Sequence, residues 1–413
     1  MIYLIFLIFL VIIINDFKKG IIIYAPFKFI FGYGIPSYIG QFSLDTIFTF
    51  ILFLYWLLCK KKKRSLEKFP FKSSAVICVV SAFIYSLNPY FSITVFLDNI
   101  LPYLYLLMFF SVINTTDDIK LFIKVVCVYA IVLNLNALCE LFGKNIIGNV
   151  ITSSFRGNTY WADDVVARGA FIRLHSFMPH SIGYGVVNII IFAFFAVLYI
   201  YHIRLIPVKT IIIILIVSFL GTYLSGSRTP LLGGIIILLP VILNKNIINV
   251  RNIATLTIAV IFICVVAGNY FLAMYATLSD SSGGGADIGG ASSWDMRIKQ
   301  LEYSVYFWLQ RFWFGHGHTF DIFQGGKLYA EIFGAESVWF PIMMKRGLVG
   351  IISYLYITID ACRNIPKHKY RNLCLFLMIG WLIIDSASNL PGLNYLLPLY
   401  FYVIYYKLGY ITK

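Results

Sequence analysis

From Ile2 to Ile14 the chain runs thirteen residues without a charge, and runs of this kind recur to its C-terminal end. Candidate spans are 1–14, 20–34, 44–59, 74–88, 94–113, 119–142, 181–202, 209–225, 230–244, 252–276, 338–360, 371–389 and 392–408. A lipid core holds no water to satisfy backbone N–H and C=O groups, so a spanning chain closes its hydrogen bonds within helices or a barrel. Period-two alternation is absent, and the runs approach the ~20 residues that a helix needs to cross. An all-α polytopic membrane protein of about twelve or thirteen spans follows. The first two runs, and the pair divided by "SLNPYFS" (86–92), are short enough to be half-helices.

Charge sets the orientation. Of the 413 residues only 12% are charged, yet the net charge is +15. The excess sits in short loops such as "KKKKR" (60–64) and "CRNIPKHKYR" (362–371), where Lys and Arg mark the cytoplasmic face; nucleic acid is not the expected partner. With 60–72, 203–209, 245–251 and 361–371 inside, two long polar loops fall outside, 143–180 and 277–337. The chain divides into helices 1–142, outer loop 143–180, helices 181–276, outer loop 277–337 and helices 338–413. The opening lacks a basic n-region and a small-residue cleavage site, so no cleavable leader is expected. The seven cysteines lie in apolar runs or beside basic loops, with no C-x-x-C pair, so neither disulfides nor a thiolate metal site is expected.

In the second outer loop, "SSGGGADIGGASS" (281–293) reads as flexible. Trp294, Ile298, Leu301, Val305, Trp308 and Phe312 then recur every three or four residues, which predicts an amphipathic helix over 294–314. Such a helix lies in the membrane interface or packs on the protein's own spans.

The outward arginines are Arg156, Arg168, Arg173, Arg228, Arg297 and Arg311. A guanidinium presents a planar donor fork suited to phosphate. Arg228 stands out, because "SGSRTP" sets it at a turn between two apolar runs; a snorkelling residue is the plainer alternative. Arg168 and Arg173 read as phosphate contacts or as solvated loop residues. Glu336 opens "ESVWFPIMMKRGLVG", where Lys345 and Arg346 also sit. A charge at mid-bilayer costs about 2.5–3.5 kcal/mol, so 336–346 must line a polar cavity or follow the outer interface, with the crossing starting near Gly347. Glu336 has the chemistry of a general base toward a sugar hydroxyl, or of a carboxylate on a helix dipole. His175, His180, His316 and His318 lie outside too, but "GHGH" without acidic partners is a weak metal signature and its glycines read as a tight turn. Asp385 and Asn389, at the outer end of a late span, are further candidate contacts.

Taken in order, "RLHSFMPHSIGYG", "GSRTPLLGG", "WDMRIKQLEYSVYFW", "FGHGHTF" and the Glu336 segment resemble the Wzy-type O-antigen polymerase and O-antigen ligase superfamily. In the ligases the last motif reads His, then Asn/Ser/Gln, nine residues, Gly, two residues, and Gly/Thr/Tyr. Here Glu336 and Ser337 precede nine residues, then Gly347 and Gly350, so the spacing matches and Glu replaces His. That replacement favours the polymerase branch. The resemblance implies the GT-C-like fold of that superfamily in the inner membrane, with its active site facing the periplasm. It implies a growing glycan on undecaprenyl diphosphate as donor and a lipid-linked repeat unit as acceptor. No cofactor is implied, and a chain-length regulator protein is an expected partner. Arg228, Arg173, Arg168 and Arg297 would steady the departing diphosphate and Glu336 would orient or deprotonate the acceptor. Lys345 and Arg346 would hold the acceptor's diphosphate, with His318 a further substrate contact. A glycan ligase, or a flippase for lipid-linked sugar, are the alternatives. Transporters gather polar groups near the midplane, whereas these collect at the outer face.

Overall fold

The computed structural model describes residues 2–31, 38–39, 42–58, 69–148, 167–168, 171–178, 180–242, 294–320, 335–365, 367–388 and 397–411. The candidate span 252–276 lies outside them.

Helices dominate. They are α1 (Ile2–Asn15), α2 (Phe17–Phe31), α3 (Leu44–Leu58), α4 (Lys72–Leu87), α5 (Ile93–Val112), α6 (Thr116–Leu141), α7 (Ser181–Ile200), α8 (Val208–Leu224), α9 (Arg228–Ile242), α10 (Trp294–Gln310), α11 (Trp339–Arg363), α12 (Arg371–Ala387) and α13 (Leu397–Ile411). Among the described residues, strands amount to two antiparallel pairs, Tyr38–Ile39 with Phe42–Ser43 and Ala167–Arg168 with Phe171–Ile172. By length and composition α5, α6, α7 and α11 can each cross a membrane, and shorter apolar helices surround them. The chain is an all-α polytopic membrane protein. At twenty residues α5 is long and apolar enough to cross alone, so it need not be a half-helix.

Start and stop signals act locally. Thr115 caps α6 in a reciprocal box with Asp118, and the His180 side chain accepts the Ile182 N–H at the start of α7. Tyr105, Phe109, Phe122, Phe194 and Tyr400, all buried, form the aromatic centre of α5, α6, α7 and α13. A buried cation on α2, Lys28, is neutralised by Asp45 at 2.5 Å and bonded to Thr49 at 2.9 Å, the pairing that intramembrane charge requires.

The end of α10 and the first half of α11 are bound by an exchange of backbone bonds. Gly347 breaks α11, with φ 62° and ψ −156°, a conformation open essentially to glycine alone. In an unbroken helix the carbonyls of Met344 and Lys345 would accept from Leu348 and Val349. Here they accept from His316 (2.8 Å) and Gly317 (3.0 Å), while Leu348 and Val349 donate to Phe312 (2.8 Å) and Trp313 (3.2 Å). Two interrupted helices therefore trade the i→i+4 bonds each has lost. The approach is backbone on backbone: a Cβ on Gly315 would stand 2.5 Å from the Arg346 nitrogen, and one on Gly347 2.6 Å from the Gly315 nitrogen. The tight turn expected of "GHGH" exists to fill the break in α11.

The stripe on α10 faces differently from either simple expectation, and the helix ends at Gln310 with turns to Phe314. Gln300 and Ser304 are fully buried, and Tyr303 and Phe307 pack on buried Met344 of α11, whereas Ile298 and Leu301 are 40% and 47% exposed. The helix packs on its own protein through a largely polar side and turns part of its apolar stripe outward, as an interfacial helix would.

Substituting Gly347→Ala is expected to cost about 1–3 kcal/mol in backbone strain, with the clash in addition. A melting temperature equal to wild type in detergent would show that the break does not need glycine.

Candidate active site

Glu140, in the last turn of α6, organises the segment 173–178. Its carboxylate accepts the His175 N–H (3.2 Å) and the Ser176 N–H (2.6 Å) and lies 3.2 Å from His175 Nε2. Thus held, Leu174 donates its N–H to the Leu224 carbonyl at the end of α8 (3.0 Å). Arg173 reaches the α8–α9 turn, donating from Nε to the Ser225 carbonyl (3.3 Å) and from Nη2 to Ser227 Oγ (2.8 Å). Only 4% of Arg173 is exposed. The next residue after that turn is Arg228, the first of α9. A helix start carries partial positive charge from its aligned peptide dipoles, so Arg228 adds a guanidinium where an anion is already favoured.

The second half is built on α10. Gln300, wholly buried, accepts the Glu336 N–H through Oε1 (3.2 Å). Arg297, one turn earlier, sets Nη2 3.4 Å from Glu336 Oε2, with 40% and 26% of the two side chains exposed. After Glu336 the chain docks on the last turn of α12: Val338 donates its N–H to the Asp385 carbonyl (3.1 Å) and the Trp339 indole donates to Ser386 Oγ (2.8 Å). Thr229, next to Arg228, donates to the Ala387 carbonyl of the same turn (3.5 Å). One turn of α12 therefore anchors both the Arg228 helix start and the Glu336 segment. The Asp385 side chain is fully buried there, and among the described residues neither of its oxygens has a hydrogen-bond donor.

Arg173 and Arg228 thus come together around the α8–α9 turn, Arg297 pairs with Glu336, and α12 ties the two groups. Lys345, Arg346 and His318 are not brought to Glu336. Lys345 and Arg346 are the seventh and eighth residues of α11, roughly 10 Å along the helix from its start, and His318 follows the turn after α10. Arg346 bonds Asn99 of α5 and lies over the Tyr85 ring of α4 at 4.3 Å. The His318 ring stands edge-on to Tyr85 and Tyr90, and the backbone N–H of His318 donates to the Asn88 carbonyl (3.1 Å). His316 bonds the Phe307 carbonyl (2.8 Å) and stacks on Phe320. The awkward charge of Arg346 is therefore met by protein, from α4 and α5. Arg168 pairs through its backbone with Phe171 in a hairpin, and its side chain, Arg156 and Asn389 lie outside the described residues.

Sequence reasoning missed Glu140, Gln300 and Asn99. Glu140 carried a usable signal, being the one acid in the apolar run 119–142. Gln300 had none, because it sits on the side of α10 away from the apolar stripe. Among the described residues no group of three or more His, Cys, Asp or Glu is arranged to hold a metal.

Residues 212–355 match the family model described as O-Antigen ligase. The match starts within α8, ends within α11 and takes in Arg228, Arg297, Glu336 and both sides of the α10–α11 exchange; Arg173 and α12 lie outside it. The matched segment is roughly a third of the chain and supports the resemblance to the O-antigen polymerase/ligase superfamily, a family of glycan-transferring membrane proteins. No curated protein matches the chain.

Replacing Glu140 by Leu would strand two backbone donors and His175. Breaking a buried pair of this kind costs about 3–5 kcal/mol, so a clear fall in melting temperature is expected. An unchanged value would take from Glu140 its part in holding the Arg173 segment.

Proposed function

We propose that the protein polymerises oligosaccharide repeat units carried on undecaprenyl diphosphate, at the outer face of the bacterial inner membrane. The observation that carries this reading is the Arg297–Glu336 pair, whose backbone is fixed by Gln300 and whose α12 anchor also holds the start of α9. Polymerisation needs two things at one place: an acceptor of a sugar proton and fixed positive charge for the leaving diphosphate. Glu336 takes the first role. It accepts the hydroxyl proton of the incoming repeat unit as its oxygen attacks the donor's anomeric carbon. The C–O bond to undecaprenyl diphosphate breaks, and the electron pair leaves with the diphosphate.

Arg228 and Arg297 steady that charge, assisted by the α9 helix start, as preorganised donors require no reorganisation at the moment of transfer. Arg173 acts by positioning, since its guanidinium is committed to Ser225 and Ser227. Arg346, engaged by Asn99 and Tyr85, supports the α11 break, and the acceptor's own diphosphate is left to Lys345. The carboxylate in the place of the ligases' histidine favours polymerisation over transfer of finished polymer. A chain-length regulator belongs with this reading as a partner.

In a strain deleted for the gene, surface glycan is expected to stop at one repeat unit. Wild type restores long chains, while Glu336→Gln, at matched membrane abundance, leaves single units. Long lipid-linked polymer that never reaches its final acceptor would mean a ligase. Loss of all outward repeats would mean a flippase.

A further inference from the structure

A groove of about 380 Å³ runs between α4 and α5, within the ~300–1,000 Å³ usual for ligand sites. Ala75 and Val79 line it from α4, and Ile100, Leu104 and Leu107 from α5. Tyr103 lies among them, its hydroxyl occupied by the Cys78 thiol at 3.1 Å. The lining has one cation, Lys72, the first residue of α4. Lys72 and Val79 are two helical turns apart, roughly 10 Å. One leaflet of hydrocarbon is roughly 15 Å deep, so this stretch fits within a single leaflet and holds part of one acyl chain.

Charge in the sequence leading into α4 points the same way. Residues 60–72 hold seven cations (Lys60, Lys61, Lys62, Lys63, Arg64, Lys68 and Lys72) against one acid, Glu67. Basic clusters just outside a span draw anionic headgroups of the cytoplasmic leaflet.

We propose that this groove is a binding site for an anionic phospholipid, one acyl chain lying along Val79, Ile100 and Leu104 and the phosphate meeting Lys72. The site is separate from the glycan chemistry, which gathers around α9, α10 and α12. Its occupant braces the α4–α5 pair that also receives Arg346 through Tyr85 and Asn99.

The test uses the full chain in a neutral detergent, titrated with dioleoyl phosphatidylglycerol or dioleoyl phosphatidylcholine and read by native mass spectrometry and melting temperature. One phosphatidylglycerol is expected to bind at least ten-fold tighter than phosphatidylcholine and to raise the melting temperature. Val79→Trp removes that binding while keeping the lipid-free melting temperature, and Lys72→Gln narrows the preference several-fold. Should Val79→Trp not fold, Leu104→Trp blocks the groove from the other wall. Equal binding of the two lipids, binding indifferent to the tryptophan, or displacement of phosphatidylglycerol by equimolar undecaprenyl phosphate would each overturn the assignment.

Discussion

A backbone that stops being helical at membrane depth must find other partners for the groups it exposes. Here the break at Gly347 finds them in a second break, four residues of one chain segment completing four of another. Much else depends on this exchange. It fixes α10 against α11, so that Gln300 and Arg297 meet Glu336. It also sets Arg346 facing Asn99, where a guanidinium has an oxygen and an aromatic face to answer its charge.

The candidate site is assembled on helix ends and not on long loops. Arg228 begins α9, Glu336 precedes α11, and Asp385, Ser386 and Ala387 close α12. Rigid elements therefore aim each charged group, and the tie through α12 keeps an anion-favouring helix start and a carboxylate in one neighbourhood. That pairing suits a reaction in which one oxygen loses a proton while a phosphate gains charge.

The sequence made the helical class and the special character of 336–350 legible. Apolar run length and the cost of buried charge are local properties, readable without a partner. Even the tight turn at Gly315 followed from composition. What stayed hidden is pairwise. Nothing in "GHGH" says that its amides answer the carbonyls of Met344 and Lys345, and nothing in Asn99 says that it receives Arg346. The α10 stripe shows the limit of periodicity: it located the amphipathic helix, but Gln300 and Ser304, off the stripe, are the residues buried. Tertiary docking chose the polar side because that side had work to do at Glu336.

The exchange between the two broken helices also defines what can be transplanted. Each half is incomplete alone, so a chimera cut anywhere between Phe312 and Val349 would join strangers whose amides and carbonyls no longer correspond. The matched segment 212–355 carries both halves within its borders, which makes it a natural cassette for grafting between relatives. Its weak seams are elsewhere, at Tyr85 and Asn99 on one side and at the last turn of α12 on the other. Those few positions are the sockets a foreign scaffold must supply.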